Sequence, residues 1–262
     1  MNRALYTAGI GMITQMKNMD VITNNIANEN TTGFKRDEIS IQTFSETMFK
    51  VLNDESTGYG IQKYDSEIGK MALGNYVSLV HTDFSAGRLI PTEGIFDLAL
   101  EGDGFFCIAT VDENGDVVEK YTRDGRFTLD HEGNLVTKQG EYVLGENGVI
   151  SANSVDVFVD EDGSFYLSGE YVDKLRIVDF ENTEVLRKCG ENIYEAIDDE
   201  DTVIIESNAM VYQGYLESSN VDTVTEMVKM IEVARIYELG QKLVQTQDAI
   251  LGKAVSDIAR KV

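Results

Sequence analysis

NNIANENTTGFKR, residues 24–36, closes the first apolar segment of the chain. Four asparagines and two threonines precede Gly33, Phe34, Lys35 and Arg36. A helix end leaves backbone groups without intrahelical partners, and the amides of Asn24, Asn25, Asn28 and Asn30 can bond to such groups. Thr31 and Thr32 can bond local backbone, and Gly33 permits a sharp exit. Phe34 is then an anchor for the departing chain, with Lys35 and Arg36 meeting acidic neighbours. Backward from this stretch, a 3–4 spacing selects Leu5, Ala8, Met12, Gln15, Met19, Ile22 and Ile26. Only Gln15 is polar, so the spacing predicts a helix with an apolar seam, ending near Asn28.

The far end of the chain repeats the pattern. From Met227 the same spacing selects Met230, Ala234, Tyr237, Gln241, Val244, Asp248, Leu251, Val255, Ile258 and Val262. A seam sustained over that length reads as coiled coil. Thr223 with Glu226 three residues on predicts a capping box at its start. Arg235 and Glu238 flank Tyr237, and Arg235 can reach a carboxylate on another subunit or Glu232 or Glu238 on its own helix. Same-helix pairs contribute only a few tenths of a kcal/mol, so order along the helix must come from the apolar seam.

Residues 95–205 read differently. Turn pairs recur in EGDG (101–104), ENGD (113–116), RDG (123–125), EGN (132–134), ENG (146–148) and EDG (161–163). Between them lie FFCIATV, RFTLD, VDVFV and KLRIVDF, rich in residues that favour strands. Turns at this spacing predict an all-β domain built on hairpins. Residues 50–80, glycine-containing and without strong periodicity, read as an extended connector or irregular subdomain. The predicted fold is mainly β with paired N- and C-terminal α-helices. Residues 1–36 and 208–262 form a discontinuous coiled-coil domain, 37–84 a connector, and 85–207 an all-β outer domain.

The net charge is −24 over 262 residues. Such a chain is no candidate for nucleic acid, because binding phosphates needs clustered lysine and arginine. Residues 1–37 and 221–262 are close to neutral, so the acidity sits in the centre. That distribution suggests ends that pack against something and a middle that faces water. No apolar run is long enough for a membrane helix, and the first segment is interrupted by Gln15, Lys17, Asn18 and Asp20, unlike a secretory signal. Cys107 and Cys189 form no paired motif; Cys107, inside FFCIA, reads as a small buried hydrophobe.

Catalytic patterns are missing. His81 and His131 are far apart in sequence, and neither H-E-x-x-H nor G-x-S-x-G occurs. GIG (9–11) and GDG (102–104) do not extend to dinucleotide or phosphate loops. DENGD (112–116) resembles the start of a calcium loop, but Val117 replaces the required glycine, which leaves a hairpin turn. No catalytic residue, cofactor or metal ligand is assigned.

An apolar seam must be buried somewhere. A two-helix hairpin packed on the β domain of a monomer is one solution. Self-assembly is the other, because Ile10, Ile13, Val21, Val228, Ile231, Val233 and Ile236 lie outside one narrow seam. Contacts between unlike faces that do not close generate a helical filament. An exported surface adhesin or fibre would share the acidic β domain without needing helices at both termini.

Five blocks carry a family resemblance: MDVITNNIANENTTGFKR (19–36), HTDFSAGRLIPTEGIFDLALEGDGFFCI (81–108), YTRDGRFTLDHEGNLVTKQGEYVLG (121–145), GYLESSNVDTVTEMVKMIEVARIYE (214–238) and KLVQTQDAILGKAV (242–255). In this order they resemble the flagellar rod and hook proteins over nearly the whole chain. The basal-body rod proteins are nearest, the distal type first and the proximal type next; hook proteins usually insert further outer domains. The resemblance implies that the terminal helices pair as a coiled coil in an inner tube, with the β domain outside and subunits stacked helically around a channel. It implies self-association, contacts with other rod and hook subunits and with rings around the rod, and export through the flagellar type III apparatus without a cleavable signal or membrane insertion. Phe44 to Met48 fits the F-x-x-x-apolar pattern associated with export; packing in a helix or loop is the plainer reading. The resemblance also places residues 24–34 between subunits. Substituting Asn25 or Gly33 is therefore expected to impair assembly and leave the β domain folded.

Overall fold

The computed structural model describes residues 3–43, 47–50, 67–71, 74–111, 117–152, 156–190, 192–197 and 203–260. Strands dominate, bracketed by two long helices, α1 (Arg3–Ala27) and α2 (Thr223–Ala259). The chain forms two compact units. One comprises Met1–Asn24, Asp37–His81 and Val224–Val262, the other Asn25–Arg36 and Thr82–Thr223.

In the helical unit, α1 ends where its apolar spacing gives way to the asparagines. The Asn28 and Glu29 amides donate to the carbonyls of Asn25 and Ile26, at 3.1 and 3.3 Å, which tightens the last turn. Ala8, Met12, Gln15, Met19, Ile22 and Ile26 are all at least half-buried. Met12 faces α2 at Gly240, where an added Cβ would stand 2.7 Å from the Met12 Cγ. The absent side chain lets the two helices approach closely there. The chain leaving α1 and the chain entering α2 are joined, the Asn220 amide donating to the Phe34 carbonyl at 3.4 Å. Met12 and Gly240 lie at similar distances along their helices from that joint, so α1 and α2 run antiparallel.

On α2, Met230, Ala234, Tyr237 and Val244 are half-buried, whereas Met227, Leu251 and Val255 are exposed. Leu5 is exposed near the start of α1. Val233, off the predicted seam, is buried. The expected capping box is not formed. Thr223 is the first residue of the helix itself, its hydroxyl makes no hydrogen bond, and the buried Glu226 carboxylate instead accepts from Lys229 Nζ at 2.7 Å.

Part of the expected irregular connector is sheet. Asp37–Thr43 pairs with Asn75–Thr82, and Thr47–Lys50 runs antiparallel to Glu67–Met71. The start of Asn75–Thr82 touches a second face of α1. The buried Thr14 hydroxyl donates to the Asn75 carbonyl at 3.2 Å, and Gly74 lies against Ile10. Of the export pattern, Phe44 lies outside the described residues, as does the DENGD stretch, while Met48 belongs to Thr47–Lys50.

The β-rich unit is organised around Phe105–Val111, a strand buried on both faces. Successive side chains of a strand point to opposite sides. Phe106 and Ile108 therefore enter a core with Leu98, Phe127, Leu135 and Val143, and Phe105 and Cys107 enter a second with Tyr121, Phe180 and Tyr194. From one edge the largest sheet runs Leu186–Lys188, Ile193–Ala196, Val117–Thr122, Phe105–Val111, Tyr142–Val143, Leu135–Thr137, Phe127–Leu129. Ile177–Phe180 also pairs with Phe105–Val111 and carries Ile204–Glu206 on its other side. Val157–Val159, Ser164–Leu167 and Glu170–Lys174 form a separate meander. Two short ladders, Leu98–Glu101 with Met210–Gln213 and Leu89–Pro91 with Tyr215–Glu217, bring the end of this unit back to its beginning.

Candidate assembly site at the end of the first helix

The polar signature that follows α1 is packed inside its own subunit. Gly33 adopts φ +64, a conformation that side chains disfavour. Its amide donates to the Glu217 carbonyl at 2.9 Å, and an added Cβ would meet the Arg123 carbonyl carbon and the Asp124 nitrogen at 2.5 Å. This corrects the expectation that Gly33 can be replaced without disturbing the β-rich unit, because the obstruction is that unit's own backbone. Thr32 donates to Asp124 Oδ1 at 2.6 Å, and Asn192 Nδ2 donates to the Thr32 carbonyl at 2.9 Å. Phe34 is buried beneath Lys188, whose Nζ stands 4.4 Å from the ring centroid and donates to the Lys35 carbonyl at 2.7 Å.

Both cations of the signature meet carboxylates. Lys35 is wholly buried, and its Nζ donates to Glu217 Oε1 at 2.6 Å and to the Ser85 carbonyl at 2.9 Å. The same Glu217 oxygen accepts from the Gly87 amide at 2.8 Å, while Oε2 faces Arg123 Nη1 at 3.6 Å. Arg123 in turn lies over the Phe105 ring, at 5.1 Å. Burial holds both Lys35 and Arg123 below their ordinary values, with the Glu217 charge opposing it. Arg36 pairs with Asp83 at 2.8 Å. Burial raises the Asp83 carboxyl, but hydrogen bonds from Ser85 and Arg36 outweigh it and hold the group below the usual carboxylate range. Burial pushes Asp124 the other way, above that range.

Asn220 closes the joint. Its Oδ1 accepts from the Arg36 amide at 2.8 Å and its Nδ2 donates to the Asp83 carbonyl at 2.8 Å. Residues 31–36, 83–88, 122–124 and 217–220, with Lys188 and Asn192, thus form one clasp, drawn from five parts of the chain widely separated in sequence. Glu217, Arg123, Asp83, Asn220 and Lys188 are partners in the clasp that local reading misses, since no periodicity links residue 35 to residue 217. Two adjacent cations, Lys35 and Arg36, in a short post-helical stretch are the available signal that carboxylates lie near.

Asn25 is buried and Asn24 exposed. Asn28 Oδ1 accepts from Thr31 at 3.2 Å. Arg235 and Glu238 are exposed on α2, Tyr237 half-buried between them, and among the described residues neither charge makes an ion pair. Nothing is shown of the Ile258 side chain. Exposed apolar side chains crowd both helices: Tyr6, Ile13 and Met16 on α1, and Val228, Ile231, Leu239 and Ile250, among others, on α2. No helix among the described residues is long and apolar enough to cross a membrane.

Three family profiles match in chain order: flagella basal body rod protein at residues 5–35, flagellar hook protein FlgE/F/G D1 domain at 99–167, and flagellar basal body rod FlgEFG protein C-terminal at 212–257. The flagellar basal-body rod protein FlgG of Buchnera aphidicola subsp. Schizaphis graminum is 34% identical, over 95% of this chain and 97% of its own. That of Bacillus subtilis is 32% identical over 98% and 99%. The flagellar basal-body rod protein FlgF of Caulobacter vibrioides is 33% identical over 99% of both. With signature, β-rich body and C-terminal helix each matched in order, and relatives aligned nearly end to end, this chain belongs to the flagellar basal-body rod protein family.

Proposed function

We propose that the chain is a structural subunit of the bacterial flagellar rod, of the distal type, located in the basal body. Copies self-associate helically through α1 and α2, coiled together as the inner wall of a tube that transmits torque from motor to hook and lines the export channel. Its neighbours are other rod and hook subunits and the rings around the rod, and it arrives through the type III export apparatus. One observation carries this reading: α1 and α2 touch, yet large apolar side chains remain uncovered on both. On α2, Val228, Leu239 and Val255 are 60%, 63% and 66% exposed. At about 25 cal/mol per Å² of apolar surface, covering a continuous row of such side chains outweighs the ordering cost of assembly, whereas same-helix ion pairs do not.

Deletion of the gene in the source bacterium, with complementation by an epitope-tagged copy, tests the reading. Isolated basal bodies should lack the distal rod in the deletion and carry the tag along the rod after complementation. Complete rods in the deletion strain would overturn it. The near full-length FlgF relative favours a second reading, a proximal rod subunit, and gold labelling of the tag at the motor-proximal end would select it.

A further inference from the structure

The helical unit carries a groove with no occupant in the subunit. Ile10, Ile13, Thr14 and Lys17 of α1 form one wall, and Asn75, Tyr76 and Val77 form the other. Its volume is about 330 Å³, and Ile13 and Tyr76 in its walls are exposed at 55% and 38%. Lys17 stands at one end of this row, exposed, and among the described residues it makes no ion pair.

The far part of α2 has the opposite shortage. Beyond Gly240 it runs on to Ala259, while α1 extends from Met12 back only to Arg3. Running antiparallel, α2 outlasts α1, and every residue from Asp248 to Ser256 is exposed. Leu251 and Val255 follow Asp248 at helical spacing on one face, so a lone carboxylate heads an apolar row. Among the described residues Asp248 also makes no ion pair.

The two rows are complementary when laid antiparallel. At a rise of about 1.5 Å per residue, Ile10 to Lys17 and Asp248 to Val255 each span about 10.5 Å. Lys17 then meets Asp248, Ile13 lies near Leu251, and Ile10 meets Val255. Within one subunit this pairing cannot form. With Met12 opposite Gly240, Asp248 falls about 20 Å along the axis from Lys17.

We infer that the α1 groove receives the overhanging end of α2 from a second copy of this chain, the Lys17–Asp248 pair setting the register. Groove and tail are different surfaces, so the contact is heterologous and propagates without closing. The inference rests on the rod reading and adds the specific seat through which neighbouring copies join.

Charge exchange and cross-linking test it in the source bacterium. Lys17→Asp and Asp248→Lys, each alone, juxtapose like charges in the seat and should deplete rods from isolated basal bodies. The double variant should restore them. Ile13→Cys with Leu251→Cys, in a Cys189→Ser background, should give a ladder of disulfide-linked multimers in assembled rods, and either cysteine alone should not. Normal rods in both single charge variants, no rescue by the double variant, or a cross-link confined to the monomer would overturn the seat while tagged chains in the rod leave the rod reading standing. A tag absent from basal bodies overturns both.

Discussion

Lys35 and Glu217 carry opposite charges where water does not reach, and each depends on the other. Removing one partner of a buried ion pair costs about 3–5 kcal/mol, because the survivor keeps its desolvation penalty. Lys35→Met should therefore lower the stability of the β-rich unit by about that amount, and Lys35→Met with Glu217→Met should recover part of it. Urea unfolding followed by tyrosine fluorescence reads both. Recovery should be incomplete, since Arg123 then loses its nearest carboxylate. Gly33→Ala combines a disfavoured φ with a backbone collision, and about 2 kcal/mol or more should be lost in the same assay.

Asp83 and Asp124 should respond to pH in opposite senses. The folded Asp83 carboxyl is held below its unfolded value of 3.8. Its contribution is present above pH 3.8 and lost as pH falls through the lower folded value. Asp124 is raised above 3.8, so its contribution is full below that pH and lost as pH rises through the folded value. Unfolding at pH 7 should show Asp83→Asn destabilised and Asp124→Asn equal to or more stable than the parent. At pH 3 the Asp83→Asn deficit should shrink. Single residues like these are where sequence reading has least purchase: Phe34, Lys35 and Arg36 are legible as an anchor and two cations, but Glu217, Asp83 and Lys188 are chosen by the fold.

At the scale of elements, the apolar spacing foretells the existence of both helices and the end of α1, because 3–4 periodicity is local information. It does not foretell which glycine sits at the crossing. Replacing glycine by alanine inside a helix ordinarily gains about 0.8–1 kcal/mol. Gly252 has open space around it, whereas Gly240 faces Met12. Gly252→Ala should raise thermal stability by about that gain. Gly240→Ala should gain less or lose, and Met12→Ala should return the difference. Circular dichroism melts of Gly252→Ala, Gly240→Ala and Gly240→Ala combined with Met12→Ala decide it; equal gains at both glycines would disprove the crossing. Thr223 was misplaced as a cap because a threonine three residues before a glutamate reads alike at either of two neighbouring positions. Asn75–Thr82 is hard to read as a strand because Asp37–Thr43 and α1, rather than its own periodicity, supply what it packs on.

For the whole molecule, the division into units runs across the sequence. Residues 25–36 belong with 82–223 although 45 residues separate them. Cleavage at a protease site introduced into the intervening stretch should leave a β-rich body with the N-terminal segment still attached by the clasp. Native mass spectrometry should find two fragments travelling together, and Lys35→Met should release the smaller one. The acidic centre and neutral ends are visible in composition alone, as is the contrast between helical ends and β-rich middle. The clasp is not, because it is made where distant blocks converge.

The hydrogen bond between Phe34 and Asn220 ties two distant points of the chain together within the β-rich unit. Whatever is spliced between those two points inherits a fixed mooring. Insertions in loops of the β-rich unit remote from this joint leave the mooring intact, so an ancestral protein of this design had room to diversify there while the tie between its two distant segments stayed the same.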